Sequence, residues 1–122
     1  KDRVHFTGRL KTSKLNKAYS AATALVYPSM HEGFGMPIIE AFAAGCPVIT
    51  SNRTAMPEVA GNAAILVNPT SVDEIVGAMQ AIATDNILRQ NLVEKGFVRA
   101  KLFSWDNVAE QIAERINKLT SA

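Results

Sequence analysis

The sequence predicts an α/β fold, a parallel sheet of about four strands flanked by helices, on three observations. Short β-branched runs alternate with longer segments of helical period. The runs are short and mainly apolar, which favours a parallel sheet over an alternating antiparallel one. No internal repeat, low-complexity stretch or apolar run near about eighteen residues competes with that pattern.

In chain order, Val4 to Phe6 reads as a short strand closed by Gly8, with His5 as a strand residue between two apolar neighbours. Thr12 or Ser13 is placed to cap a helix whose apolar positions Leu15, Ala18, Tyr19 and Ala22 follow three-and-four spacing. Ala24 to Tyr27 is a continuous apolar run ended by Pro28, and so a buried strand. Pro37 suits a helix's first turn, Ile38 to Ala44 continues it, and Gly45 is placed to stop it. Val48 to Thr50 is the next strand, Pro57 to Ala60 makes one helical turn before Gly61, and Ala64 to Val67 is the last strand. Ser71 and Glu74 form a capping box for a helix with Ile75, Val76, Met79 and Ile82 on one face. Asp85 caps another through Leu88, Leu92 and Val93. Ser104 caps the final one, where Val108, Ile112, Ile116 and Leu119 share a stripe and Trp105 is expected to anchor the start.

Composition narrows the function classes. The 122 residues are 48% apolar and 20% charged, one ordinary domain or part of one. Surface scaling gives roughly 6,400 Å² folded against roughly 19,000 Å² unfolded, enough for a real core. Thirteen Lys and Arg against eleven Asp and Glu leave a net charge of +2, which demands no polyanionic partner. The basic N-terminal residues Lys1, Arg3, Arg9, Lys11, Lys14 and Lys17 read as a solvated surface. Cys46 alone makes no internal disulfide, and with only His5 and His31 beside it there is no metal-ligand spacing, so zinc modules and disulfide scaffolds drop out. The lone cysteine fits a reducing, cytoplasmic compartment and reads as a small packed residue between Gly45 and Pro47. The first residues show neither a long apolar core nor a small-residue cleavage site, so no signal peptide is expected and the start looks like mid-protein sequence.

The informative stretch is Pro28 to Pro47, PSMHEGFGMPIIEAFAAGCP. It joins the end of a buried strand to a helix through a loop with two glycines, flanked by two carboxylates. In open α/β sheets, ligands bind beyond the carboxyl ends of the strands, where a helix N-terminus presents unpaired N–H groups and partial positive charge. Such a place suits phosphate. Gly33 and Gly35 let the backbone approach a ligand closely. Glu32 precedes the loop's glycines, and Glu40 falls about one turn inside the helix. Ionised carboxylates only accept hydrogen bonds, so their partners besides cations are hydroxyl groups such as those of sugars. A nucleotide sugar offers hydroxyls at both ends and phosphates in the middle.

The string Pro28-Ser29-x-x-Glu32-Gly33-Phe34-Gly35-Met36-Pro37-x-x-Glu40-Ala41, then Gly45-x-Pro47-Val48-Ile49, resembles the retaining group 1 glycosyltransferases of the GT-B fold. Val4-His5-Phe6-x-Gly8, Pro57-Glu58-Val59-x-Gly61-Asn62-Ala63-Ala64 and Phe103-Ser104-Trp105 extend the resemblance over nearly all the chain. It implies a Rossmann-like, partial C-terminal domain over residues 1–122 that binds a UDP-, GDP- or ADP-linked sugar. Glu32 would be the catalytic residue, orienting hydroxyls of the donor hexose, and Glu40 would take the ribose hydroxyls. Backbone N–H groups of Phe34, Gly35 and Met36, beside Gly33, would face the sugar and diphosphate, and main-chain groups around Arg9 and Leu10 would line the base slot. The family transfers the sugar with retention and needs no metal or other cofactor, and the acceptor would be a glycan or lipid.

The resemblance also implies absences. The family's diphosphate-binding Arg and Lys lie upstream of this chain's first residue, as does an acceptor-binding N-terminal domain, so the segment alone is not expected to catalyse transfer. Of six strands in order 3-2-1-4-5-6, numbers 3 to 6 would be present, leaving a bare edge at Ala24 to Tyr27. Bare apolar edges recruit strands. Val4 to Phe6 is therefore expected to pair there directly, or the edge to support a dimer, or the chain to belong to a longer protein with its membrane contact, if any, elsewhere.

Competing readings of the same residues are a solvated carboxylate with a helix-dipole partner, and the acid and nucleophile of a glycoside hydrolase, for which no sugar cleft is signalled. A non-catalytic nucleotide-binding or interaction module on the same fold is the alternative function. A nucleotide-sugar epimerase should lack the seven-residue interval between Glu32 and Glu40. Glu58 is read as bracing its turn, His31 as an exposed loop residue, and the methionines as scattered core positions.

Overall fold

The computed structural model describes residues 2–121. Its elements are α1 (Thr12–Ala21), β1 (Leu25–Tyr27), α2 (Met36–Ala43), β2 (Val48–Ser51), α3 (Met56–Ala60), β3 (Ala64–Val67), α4 (Val72–Thr84), α5 (Asn86–Lys101) and α6 (Trp105–Thr120). The three strands form one parallel sheet in the order β1-β2-β3. Val48 of β2 aligns with Leu25 on one side and Ala64 on the other.

The central strand explains the layers. All four residues of β2 are buried, and successive side chains point to opposite faces, so each face needs its own cover. Val48 joins Tyr19, Ile38, Ala41, Phe42, Met56 and Val59 beneath α1, α2 and α3. Ile49 joins Val67, Ala78, Ile82 and Leu92 beneath α4 and α5. Cys46 is buried in the first cluster, where burial pushes its thiol pKa up, as a packed residue should. The polar residues of β2 are satisfied locally: Thr50 Oγ1 donates to the Tyr27 carbonyl at 2.9 Å, and Ser51 Oγ accepts from the Arg53 N–H at 3.1 Å.

Caps follow the sequence closely at the C-terminal helices. Asp85 accepts from the Leu88 N–H at 2.9 Å, and Ser104 from the Asn107 N–H at 3.2 Å. At α4 the box is half made. Ser71 accepts from the Glu74 N–H at 3.2 Å, but the Glu74 carboxylate reaches back to the Asn68 N–H at 2.6 Å and so ties β3 to the helix. Helix α1 starts one residue earlier than expected, with Lys11 at the cap and no side-chain cap bond from Thr12 or Ser13. Gly45 ends α2 as expected, in the left-handed region at φ 74°.

Four expectations are corrected. Val4 to Phe6 forms no strand and does not pair with Leu25–Tyr27. The sheet thus has three strands, with Val4, His5 and Phe6 exposed and the outer edge of β1 unpaired among the described residues. A three-residue run carries strand propensity, yet a strand exists only through its ladder, and no neighbour supplies one. Trp105 is 88% exposed and anchors nothing, and the stripe Val108, Ile112, Ile116 and Leu119 is exposed with it, because no residue of α6 is buried against another described element. Of the methionines only Met56 is core; Met30, Met36 and Met79 stand about half exposed. The accessible surface of 8643 Å² is therefore about a third larger than compact scaling gives.

Candidate functional site

The carboxyl ends of the three strands open onto loops that meet on one edge of the sheet. Pro28 follows β1 and lacks the N–H a further ladder bond needs, so the chain leaves the sheet there. It returns at Gly35, which caps α2 with φ 84° and ψ 55°, a left-handed conformation open to glycine and costly for most other residues. Gly35 is buried: a Cβ there would stand 2.7 Å from Met56 Cε. Gly33 is exposed and faces open space, and Phe34 and Met36 are exposed beside it. The turn is thus packed from below and open above. The backbone N–H groups of Phe34, Gly35 and Met36 have no acceptor among the described residues, while Ile38 N–H already bonds the Gly35 carbonyl at 3.0 Å. Those free donors coincide with the positive end of α2.

In chain order the two carboxylates flank this turn, Glu32 in the loop before it and Glu40 in α2 after it, and each has its own surroundings. Glu32, half-buried, accepts at Oε1 from the Tyr27 hydroxyl at 2.6 Å and from Ser29 Oγ at 3.2 Å. Its N–H donates to Thr54 Oγ1 at 3.4 Å, a brace from the β2–α3 loop. Glu40, half-buried on α2, accepts at Oε2 from the Tyr19 hydroxyl at 3.3 Å. The hydrogen bond to Glu32, followed by desolvation and that carboxylate's charge, pushes the Tyr27 phenol up to about 12. Burial first, then the charge of Glu40, raises Tyr19.

Glu40 lines a groove of about 490 Å³ with Thr12, Leu15, Asn16 and Ser20 of α1. Arg9 and Leu10 line a hollow of about 380 Å³ together with Lys11 and Thr12. Thr12 borders both spaces, so the Arg9–Leu10 segment adjoins the Glu40 groove. Glu32 lines neither. Phe34 rests edge-on against Phe103 at a centroid distance of 5.4 Å, and Arg99 lies over that second ring at 5.2 Å. Arg99 also donates to the carbonyls of Glu58 and Val59, so a clamp from α5 props both the turn and the end of α3.

Tyr19, Tyr27, Ser29, Thr54 and the Arg99–Phe103 pair were not singled out by sequence reasoning. Ser29 lay inside the main quoted string and Phe103 inside Phe103-Ser104-Trp105, neither with a role; the others come from β1 itself or from distant segments. Glu58 is exposed and contributes its carbonyl here, and His31 is exposed in the loop. Among the described residues no three His, Cys, Asp or Glu side chains stand together so as to hold a metal ion. No helix of the described residues is long and apolar enough to cross a membrane.

Comparison with known proteins places this arrangement. The family model of glycosyl transferases group 1 matches residues 1–99. The O-antigen chain mannosyltransferase B of Escherichia coli is 39% identical over 108 residues, 88% of this chain and 28% of that protein. The MMP alpha-(1->4)-mannosyltransferase of Mycolicibacterium hassiacum is 35% identical over 114 residues, 90% of this chain and 28% of that protein. Sucrose-phosphate synthase from Thermosynechococcus elongatus superposes with a TM-score of 0.84 at 33% identity, covering 98% of this chain and 31% of that one. The chain thus spans less than a third of each of these relatives. With its family-model match over residues 1–99 and these identities, the chain belongs to the group 1 glycosyl transferases.

Proposed function

We propose that the chain is the donor-binding C-terminal part of a retaining glycosyltransferase of GT-B architecture that transfers a hexosyl group from a nucleotide sugar to a glycan or lipid acceptor. The observation that carries this reading is the open turn whose three N–H groups are unpaired among the described residues, flanked in the chain by two half-buried carboxylates. Cleavage of the anomeric bond builds negative charge on the departing diphosphate. Fixed dipoles aimed at that charge stabilise the transition state without reorganising, a role that needs no metal ion in the family. Glu32 takes hydroxyls of the hexose, Glu40 those of the ribose, and the hollow at Arg9 and Leu10 receives the base. Mannosyl transfer is the favoured reaction, since the relatives cited from Escherichia coli and Mycolicibacterium hassiacum are named as mannosyltransferases. The unpaired edge of β1 is where further strands of the full-length protein would add, with dimerisation as the competing use.

Kinetics of the full-length protein with a panel of UDP-, GDP- and ADP-sugars test this. Glu40→Gln should raise the donor KM with kcat little changed, and Glu32→Gln should lower kcat by mispositioning the sugar. Unchanged kinetics in both would remove the assigned roles.

A further inference from the structure

The chain has two tyrosines, and each donates its phenolic hydroxyl to one of the two site carboxylates. Tyr27 and Ser29 both engage Oε1 of Glu32, and Tyr19 engages Oε2 of Glu40. The other oxygen of each carboxylate accepts no hydrogen bond from a described residue. A glutamate has three rotatable bonds, so an untethered carboxylate samples many directions. With one oxygen held, the direction of the second is set. The holders are themselves fixed. Tyr19 is buried in the core cluster that contains Ile38 and Phe42. Tyr27 sits in β1 in register with Thr50, whose hydroxyl bonds its carbonyl.

We propose that Tyr27 and Tyr19 are positioning residues for the donor, each pinning one carboxylate oxygen so that the other is presented to a hydroxyl, of the hexose at Glu32 and of the ribose at Glu40. This rests on the donor-site reading above. The distances rank the two. A contact of 2.6 Å lies in the charge-assisted range for an O–H donor and a carboxylate, whereas 3.3 Å is a long, weak bond. Tyr27 therefore governs its acid more strictly than Tyr19 does. The two tyrosines also act on different kinetic quantities, because Glu32 serves the reacting sugar and Glu40 serves binding.

Steady-state kinetics of the full-length protein, with the nucleotide sugar that the panel identifies, tests this. Tyr27→Phe should lower kcat about tenfold with donor KM held within about twofold, and Tyr19→Phe should raise donor KM about threefold with kcat held. In a Glu32→Gln background the effect of Tyr27→Phe on kcat should shrink below about twofold, because the phenol acts only through the carboxylate. A general structural role would instead give independent, multiplicative losses. Wild-type kinetics in Tyr27→Phe beside an impaired Glu32→Gln, or full multiplicativity in the double variant, overturns the positioning role and leaves the donor site standing. Wild-type kinetics in Glu32→Gln and Glu40→Gln overturns the donor site itself. A spectrophotometric titration of the 122-residue chain checks the contact without turnover: Glu32→Gln should lower the alkaline midpoint of one phenol, and an unmoved midpoint refutes the contact.

Discussion

Gly35→Ala tests whether the fold forces the left-handed turn that opens α2. An L-residue at φ 84° costs about 1–2 kcal/mol relative to glycine. The new Cβ would lie 2.7 Å from Met56 Cε, 3.1 Å from Met56 Sδ and 3.3 Å from Ile38 Cδ1. Both neighbours are fully buried, so neither can swing into solvent, and overpacking of this kind costs about 1–3 kcal/mol. Lower entropy of the unfolded chain returns about 0.4–1 kcal/mol. The net loss is about 1–4.6 kcal/mol, which at a urea m-value of about 2 kcal/mol/M lowers the unfolding midpoint by about 0.5–2.3 M. Gly33→Ala is the control, since nothing lies within 4 Å of its Cβ position and its φ is outside the left-handed region. It should shift stability by less than about 0.5 kcal/mol. Met56→Leu, which removes the clashing terminal methyl group, should restore the packing share of the loss in Gly35→Ala but not the backbone share. Equal effects at the two glycines, or a Gly35→Ala midpoint within about 0.2 M of wild type, would refute the reasoning.

Two further outcomes follow from packing and titration. Removal of Trp105–Thr120 should leave the thermal midpoint of the chain within about 2 °C, because α6 buries no residue against the domain; calorimetry checks this, and a larger fall would mean that the exposed stripe is covered. Because the folded-state pKa of Tyr27 is raised to about 12 from an ordinary value near 10, the phenol's contribution is fully present below about pH 10 and is lost as pH rises towards 12. Urea midpoints taken across that window should fall more steeply for wild type than for Tyr27→Phe.

Local signals were the legible ones. The runs Ala24–Tyr27 and Ala64–Val67 are apolar along their whole length and Val48–Thr50 departs from that only at Thr50, so a covered sheet could be read from them within a residue of the observed bounds. Asp85 and Ser104 cap the residues three positions ahead, a contact contained in a single turn. The Glu32–Glu40 interval was visible for the same reason, since one strand end, one loop and one helix carry it. What stayed hidden depends on distant partners. Val4–Phe6 has strand composition, but nothing in its own residues reports that no neighbour completes a ladder. The stripe of α6 has helical period without stating what covers it. Tyr19 is 21 residues from Glu40, and its apolar spacing within α1 concealed a hydroxyl aimed across to α2. Phe103 meets Phe34 from the far end of the chain, and neither aromatic signals the other in sequence.

The hollow at Arg9–Thr12 is built largely from chain that has no regular structure until α1 begins, whereas Glu40 sits on α2 and Glu32 on a loop held by Tyr27, Ser29 and Thr54. Changing the lining of that hollow at Arg9, Leu10 or Lys11 breaks no ladder and interrupts no helical turn. If that hollow takes the base, a lineage can switch nucleotide preference by drift in a few loop residues while the transfer machinery stays intact, and a designer can randomise those positions as an independent cassette.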